Sequence, residues 1–175
     1  MARKRYNVNI LSQSSIRQLK RELNTYSNNL SYKCQLIAQE LARLGCDIAK
    51  VHITTLDAIF TGELISSITS SGIVTQSKAV FYVIADSKHA CFVEFGTGQL
   101  GQEGSYPYPF PEGVEWKYNS GKTIFEIAPG EYGWFYPSED GWKFTQGMPA
   151  RPFMYETSLE LYNKVIKVCK EAFRK

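Results

Sequence analysis

The chain has little of what most enzymatic chemistry requires. Its 175 residues include only two histidines, His52 and His89, and four scattered cysteines, Cys34, Cys46, Cys91 and Cys169. No cysteine pair has CxxC spacing and no histidine stands at ligand spacing from one, which excludes the common zinc arrangements. The even cysteine count would permit two disulfides. A domain of this size, however, buries roughly 70% of its unfolded surface and needs no staples, so the expectation is reduced thiols in a cytosolic setting. No apolar run approaches the roughly 20 residues that span a bilayer. The basic start leads into the polar YNVNILSQSS (6–15) rather than an apolar signal segment, so no secretory signal and no membrane partner are expected. Internal repeats and low-complexity tracts are also missing. Charge of one sign is scarce: the formal net charge is +3. Part of it sits at the ends, in Arg3, Lys4, Arg5, Lys170, Arg174 and Lys175, where solvated tails are the ordinary outcome and a grip on nucleic acid the rarer one.

The short motifs that invite a chemical reading do not complete one. SGKT (120–123) has the end of a phosphate loop, but Trp116 stands where the first glycine belongs and a strand-like TIFEI follows instead of a helix. GTGQLGQEG (96–104) is rich in glycine at spacings that match no nucleotide fingerprint, so loop geometry is the better reading. His89 and Cys91 would share one face of a strand, yet no third group orients them, and nucleophilic catalysis needs the whole constellation. No catalytic residue, metal or cofactor is expected, and the chain reads as something other than an enzyme.

What is abundant is aromatic surface, 14% of residues, with 11 Tyr and 10 Phe. That is more than one small core holds, so some of it belongs at contacts, where aromatics are enriched. The order of elements reads as a single α+β domain. Residues 1–12 form a tail with a short strand at 6–11. Ile16, Leu19, Leu23, Tyr26, Leu30, Ile37, Leu41, Leu44 and Ile48 recur mostly at three- and four-residue steps, which predicts a long helix over 13–50, with Ser15 and Gln18 as its capping box and either Gly45 or VHITT (51–55) as its decay. Such a stripe must lie across a sheet or another helix. A sheet core follows over 61–98, with strands at 64–76 and 78–85, a turn at 86–88, and the segment HACFVEFGTG (89–98). Residues 99–147 form a Pro-rich, aromatic arm with a strand at 122–127 and a hairpin around Glu139, Asp140 and Gly141. The chain then predicts a helix over 152–174 whose apolar face is Leu159, Tyr162, Ile166, Cys169 and Phe173, with Pro152 at its approach. The fold expected is therefore a long N-terminal helix and a C-terminal helix packed on a small antiparallel sheet, with a long β-rich arm.

Two constellations stand out. Glu94 lies between Val93 and Phe95, and a carboxylate in apolar surroundings needs a partner. Arg151, within the equally apolar PARPF, is the natural one. The pair is expected to brace the 92–98 loop against the C-terminal helix, although alternation alone would also allow a solvent-facing Glu94. In the arm, Tyr106, Tyr108, Phe110, Trp116, Trp134, Phe135, Tyr136 and Trp142 form a candidate partner interface. Glu112, Glu115, Glu126, Glu131, Glu139 and Asp140 outnumber the basic residues around them, which favours a protein partner over a base-stacking platform.

Three blocks in order resemble the tailed-phage neck proteins of the gp-ten type, named for phage HK-ninety-seven. TGELISSI (61–68) is similar to the family's first block through Thr61, Gly62, Leu64, Ser67 and Ile68. FVEFGTG is similar to its second through Val93, Glu94, Phe95, Gly96, Thr97 and Gly98. FTQGMPARPFMYE (144–156) is similar to its last through Pro149, Ala150, Arg151, Pro152, Phe153 and Met154. The resemblance implies a structural virion protein at the head–tail junction, a connector or tail-completion component without chemistry of its own. It implies a ring of copies, commonly sixfold, touching a head-side connector on one face and the tail tube or terminator on the other, with DNA passing through. Assembly would take place in the host cytoplasm. The alternatives are a tail terminator, a minor capsid component, a nucleic-acid-binding module, or an enzyme using Cys91 or a carboxylate. A monomer before docking is expected, since an arm that orders on docking prevents premature rings.

Overall fold

The three- and four-residue spacing of the first apolar stripe produces one 43-residue helix, α1 (Gln13–Thr55). The computed structural model describes residues 9, 11–58, 62–75, 78–103, 106, 109–110, 112–113, 116 and 124–174. The expected strand at 6–11, the basic residues Arg3, Lys4, Arg5 and Lys175, the SGKT turn, Thr61 and Tyr108 lie outside the described residues, wholly or in large part. The helix starts one turn before the expected capping box: Ser12 is the N-cap, and its hydroxyl accepts from the Ser15 amide at 3.3 Å. It also runs five residues past 50. The β-branched 51–55 stretch is a poor helix former, but Ile53 is fully buried among core residues and tertiary burial overrides weak propensity. Thr54 and Thr55 turn their hydroxyls back onto the carbonyls of Lys50 and Val51. Gly45 does not break the helix. It lets two elements approach, because a Cβ there would stand 2.7 Å from Val83 and 2.8 Å from Leu161.

The expected strand from residue 64 begins instead with a helical turn, α2 (Glu63–Ser66), which drives Leu64 into the core. Strand β1 (Ile68–Val74) then pairs antiparallel with β2 (Ala79–Ala85), from Ile68 opposite Ala85 to Val74 opposite Ala79. β2 packs on α1, while most of β1 faces water with its hydroxyl residues. Two short helices follow, α3 (Ala90–Phe95) and α4 (Gly98–Glu103). The 89–95 segment is therefore helical and not a strand.

The arm is a separate antiparallel sheet in the order β3 (Phe125–Ala128), β4 (Glu131–Ser138), β5 (Gly141–Thr145). Ser138 pairs with Gly141, so the hairpin turns at Glu139 and Asp140 as expected. The two-residue β6 (Gly147–Met148) returns the chain to the body, and α5 (Phe153–Arg174) closes it, lying along α1. The side of α5 that is covered differs from the expected one. Phe153 and Thr157 are buried and Leu161, Val165, Val168 and Ala172 are half-buried; of the expected face Cys169 and Phe173 are half-buried, whereas Leu159, Tyr162 and Ile166 are exposed.

The core is one cluster drawn from five elements: Cys46, Ala49 and Ile53 of α1, Leu64 of α2, Ile68 of β1, Ala90 and Val93 of α3, and Phe153 of α5. The fold is α+β, with two long helices and small antiparallel sheets. No helix among the described residues is long and apolar enough to cross a membrane.

Candidate interaction site

The three blocks singled out in the sequence converge in space. Leu64 and Ile68 from the first, Val93 from the second and Phe153 from the third share the core cluster. Gly62, at φ 76°, is the left-handed N-cap of α2, and Ser67 ends it by donating its hydroxyl to the Leu64 carbonyl. The second and third blocks are laced together by hydrogen bonds from the main chain of the third. The Arg151 amide donates to the Val93 carbonyl at 2.8 Å, and the Met148 amide donates to the Thr97 hydroxyl at 3.1 Å. Thr97 and Gly98 form antiparallel bridges with Met148 and Gly147.

Gly96 and Gly98 make this lacing possible. Gly96 ends α3 at φ 76°, and a Cβ on it would stand 2.7 Å from the Ala150 amide nitrogen. Gly98, at φ 62°, packs against the Gln146 carbonyl and under the Trp134 ring. Both positions need a backbone conformation and a closeness that a side chain denies.

Glu94 is 6% exposed, the most buried acid of the described chain. Its partner is not the Arg151 guanidinium. Oε2 accepts from the Met154 amide at 2.9 Å, and Oε1 accepts from the Tyr155 amide at 3.1 Å and the Tyr106 hydroxyl at 3.2 Å. These amides belong to the first turn of α5, whose N–H groups have no partner within the helix. Glu94 thus caps α5 from sixty residues away. Arg151 turns elsewhere, its Nε donating to the carbonyl of Leu56, the C-cap of α1, at 3.0 Å. Glu94 thus ties α3 to the start of α5, whereas the Arg151 side chain ties the approach to α5 to the end of α1. Burial pushes the Glu94 carboxyl above its ordinary range. The Met154 and Tyr155 amides and the Tyr106 hydroxyl pull it back, and the nearby Glu156 charge adds to the rise. An open, mostly apolar cavity of about 420 Å³ lies beside it, bordered by Ala90, Cys91, Phe95, Tyr106, Met154 and Tyr155 among others.

The aromatic residues divide into two groups. Tyr106, Phe110 and Trp116 fold back onto α3: Phe95 lies 5.1, 5.4 and 5.4 Å from their ring centroids, and Trp116 donates its Nε1–H to the Gly96 carbonyl at 2.9 Å. Trp134 is 7% exposed over Gly98. Tyr106 and Trp134, both expected at a partner interface, are therefore internal packing. Trp142, at 73% exposure, and Tyr136 face outward, as do Phe125 and Phe135, and Phe110 remains partly exposed. Phe125, Phe135 and Phe144 form a ladder of edge-to-face rings along one side of the arm.

Gln99 was not singled out by the sequence, yet it clamps the arm to the body. Its Nε2 donates to the Gly130 carbonyl at 2.7 Å, and its Oε1 accepts from the Tyr132 amide at 2.8 Å. A glutamine in a glycine-rich stretch gives no local signal of such a role.

His89 and Cys91 do not form a pair. On a helix, residues two apart do not face each other; His89 precedes α3 with its ring near Phe92, and Cys91 is exposed. Glu94 has both oxygens occupied by groups that hold the fold together. The arrangement joins the helical body to a separate three-stranded sheet that presents aromatic side chains at its surface. No protein-family model, no curated protein and no solved structure matches the chain.

Proposed function

We propose that this chain is a structural protein of the neck of a tailed phage, joining the DNA-filled head to the tail as a ring of copies. In this reading it performs no chemistry, assembles in the host cytoplasm, and ends at the head–tail junction of the virion. One face meets the head-side connector and another meets the tail tube or its terminator, while DNA passes without being read.

The observation that carries the reading is the convergence of the three resembling blocks on one joint. Residues from 62–68, 92–98 and 147–154 share a core, the second and third are also laced by backbone bonds, and the aromatic arm departs from that joint. The arm displays Trp142, Tyr136, Phe125 and Phe135, and its exposed sheet suits docking by strand addition or by side-chain insertion into a neighbour.

Electron microscopy of lysates from a phage lacking this gene tests the proposal. Filled heads beside separate tails of normal length are expected, with particles restored by adding the purified protein. Tails of abnormal length would move the protein to tail termination. Normal infectious particles would overturn the neck reading.

A further inference from the structure

The stripe of α1 is covered at one end and bare at the other. Every fully buried residue of this helix lies between Ala42 and Ile53. In that half, β2 and α5 meet it, with Val83 and Leu161 closing on Gly45 and Glu160 standing 3.2 Å from His52. Coverage by α5 stops at its last turn, where Phe173 lies beside the Lys33 ammonium at 5.4 Å. Upstream of that contact, Ile16, Leu23, Tyr26 and Leu30 are 47, 47, 58 and 39% exposed. They belong to the same series as Ile37, Leu41, Leu44 and Ile48, which are half-buried or buried.

The spacing of the series says what kind of surface this is. Ile16, Leu23, Leu30, Ile37 and Leu44 recur every seven residues, with Leu19 and Tyr26 at the intervening positions. A strict seven-residue repeat keeps an apolar seam facing a second helix along its length. A bare helix of about 20 residues is also marginal in water unless its apolar face is packed. The needed cover is a helix running along the stripe over about 30 Å, at 1.5 Å per residue.

We infer that the first half of α1 pairs with the same segment of a second copy of this chain. An identical helix carries the same repeat over the same length, and it continues the helix-on-helix contact that α5 begins and leaves at Lys33. The contact is helical and lies at the far end of α1 from the arm's joint, so it is independent of the neck reading. It departs from the expectation of a monomer before docking. Its area, on the order of 1,000 Å², is at the small end of stable interfaces, so the pair depends on concentration.

Sedimentation equilibrium on the full chain from about 1 to 100 μM, a range that brackets a micromolar dissociation constant, tests the pairing. The expected result is a shift from monomer to dimer mass. Leu23→Asp is expected to abolish it while leaving the thermal melt of the dilute monomer unchanged, because Leu23 is half exposed and lies upstream of the Lys33–Phe173 contact where α5 ends. Ile166→Asp, on the exposed face of α5, is the control and is expected to keep the dimer. A wild-type chain that stays monomeric throughout the range overturns the inference. So does any oligomer that survives Leu23→Asp, or a dimer lost in Ile166→Asp but kept in Leu23→Asp.

Discussion

The Glu94 carboxylate lies across the start of α5, 2.9 Å from the amide of Met154, and receives two further hydrogen bonds from Tyr155 and Tyr106. Truncation to alanine would strand three donors in a buried place. A hydrogen bond to a charged group is worth about 1.5–3 kcal/mol, and the desolvated charge offsets part of the three. Glu94→Ala is expected to cost about 3 kcal/mol, read as a lower urea midpoint with an unchanged slope.

The same carboxyl sets a pH dependence whose sign follows from its raised folded-state pKa. The protonated form is favoured in the fold relative to the unfolded chain. Its contribution is complete below the ordinary carboxylate range and is lost as pH rises through the raised value. The stability of wild type relative to Glu94→Gln is expected to shrink from acid toward neutral pH. Paired urea titrations at several pH values check this, and a difference that grows with pH would contradict it.

Because Arg151 bonds the Leu56 carbonyl and not Glu94, the two side chains act through separate contacts. Arg151→Met should cost about 1–2 kcal/mol by uncapping the end of α1. In a double-mutant cycle with Glu94→Gln the coupling is expected to stay below about 0.5 kcal/mol, whereas a buried ion pair would give 1–3.

Parts of this joint were legible in the sequence and parts were not, for physical reasons. α5, the long body of α1, β2 and the hairpin around Asp140 carry strong periodicity or turn chemistry, and each formed where expected. α3 did not announce itself, since ACFVEF is rich in strand-favouring residues and is helical because Ala90 and Val93 reach the core while Gly96 ends the turn. The apolar neighbours of Glu94 allow a buried acid in need of a partner, but alternation allows a solvent-facing one equally, and packing decides for burial. The partner was missed because backbone amides at a distant helix start leave no mark in residue identity. Exposure was hardest to read: Tyr106, Trp134 and Trp142 are alike as letters, and only the geometry at Gly96 and Gly98 decides which are covered.

Gly98 and Gly62 separate conformational cost from packing cost. Both have positive φ, 62° and 76°, but a Cβ at Gly62 meets nothing within 4 Å. One at Gly98 would meet the Gln146 carbonyl and, at 2.7 Å, the Trp134 ring. Gly62→Ala is expected to cost about 1 kcal/mol and Gly98→Ala about 3–4 kcal/mol, from strain plus displacement of its neighbours. With Trp116 and Trp142 replaced by phenylalanine, the emission of Trp134 should report the displaced ring in the second variant alone.

Two of the arm's three tryptophans give the sharpest functional contrast. Trp134 is buried over the joint, so Trp134→Ala should destabilise the protein by about 3–4 kcal/mol. Trp142 stands on β5 with 73% of its surface in water, so Trp142→Ala should change stability by less than about 0.5 kcal/mol. Exposed aromatic anchors dominate many interfaces, and their truncation commonly costs about 2 kcal/mol or more in binding. In the head-and-tail rescue mixture, Trp142→Ala is therefore expected to need some thirtyfold more protein than wild type for equal restoration, the factor that about 2 kcal/mol represents. A Trp142→Ala protein that rescues at wild-type concentration would remove the arm tip from the docking surface and leave its exposure a property of the free chain.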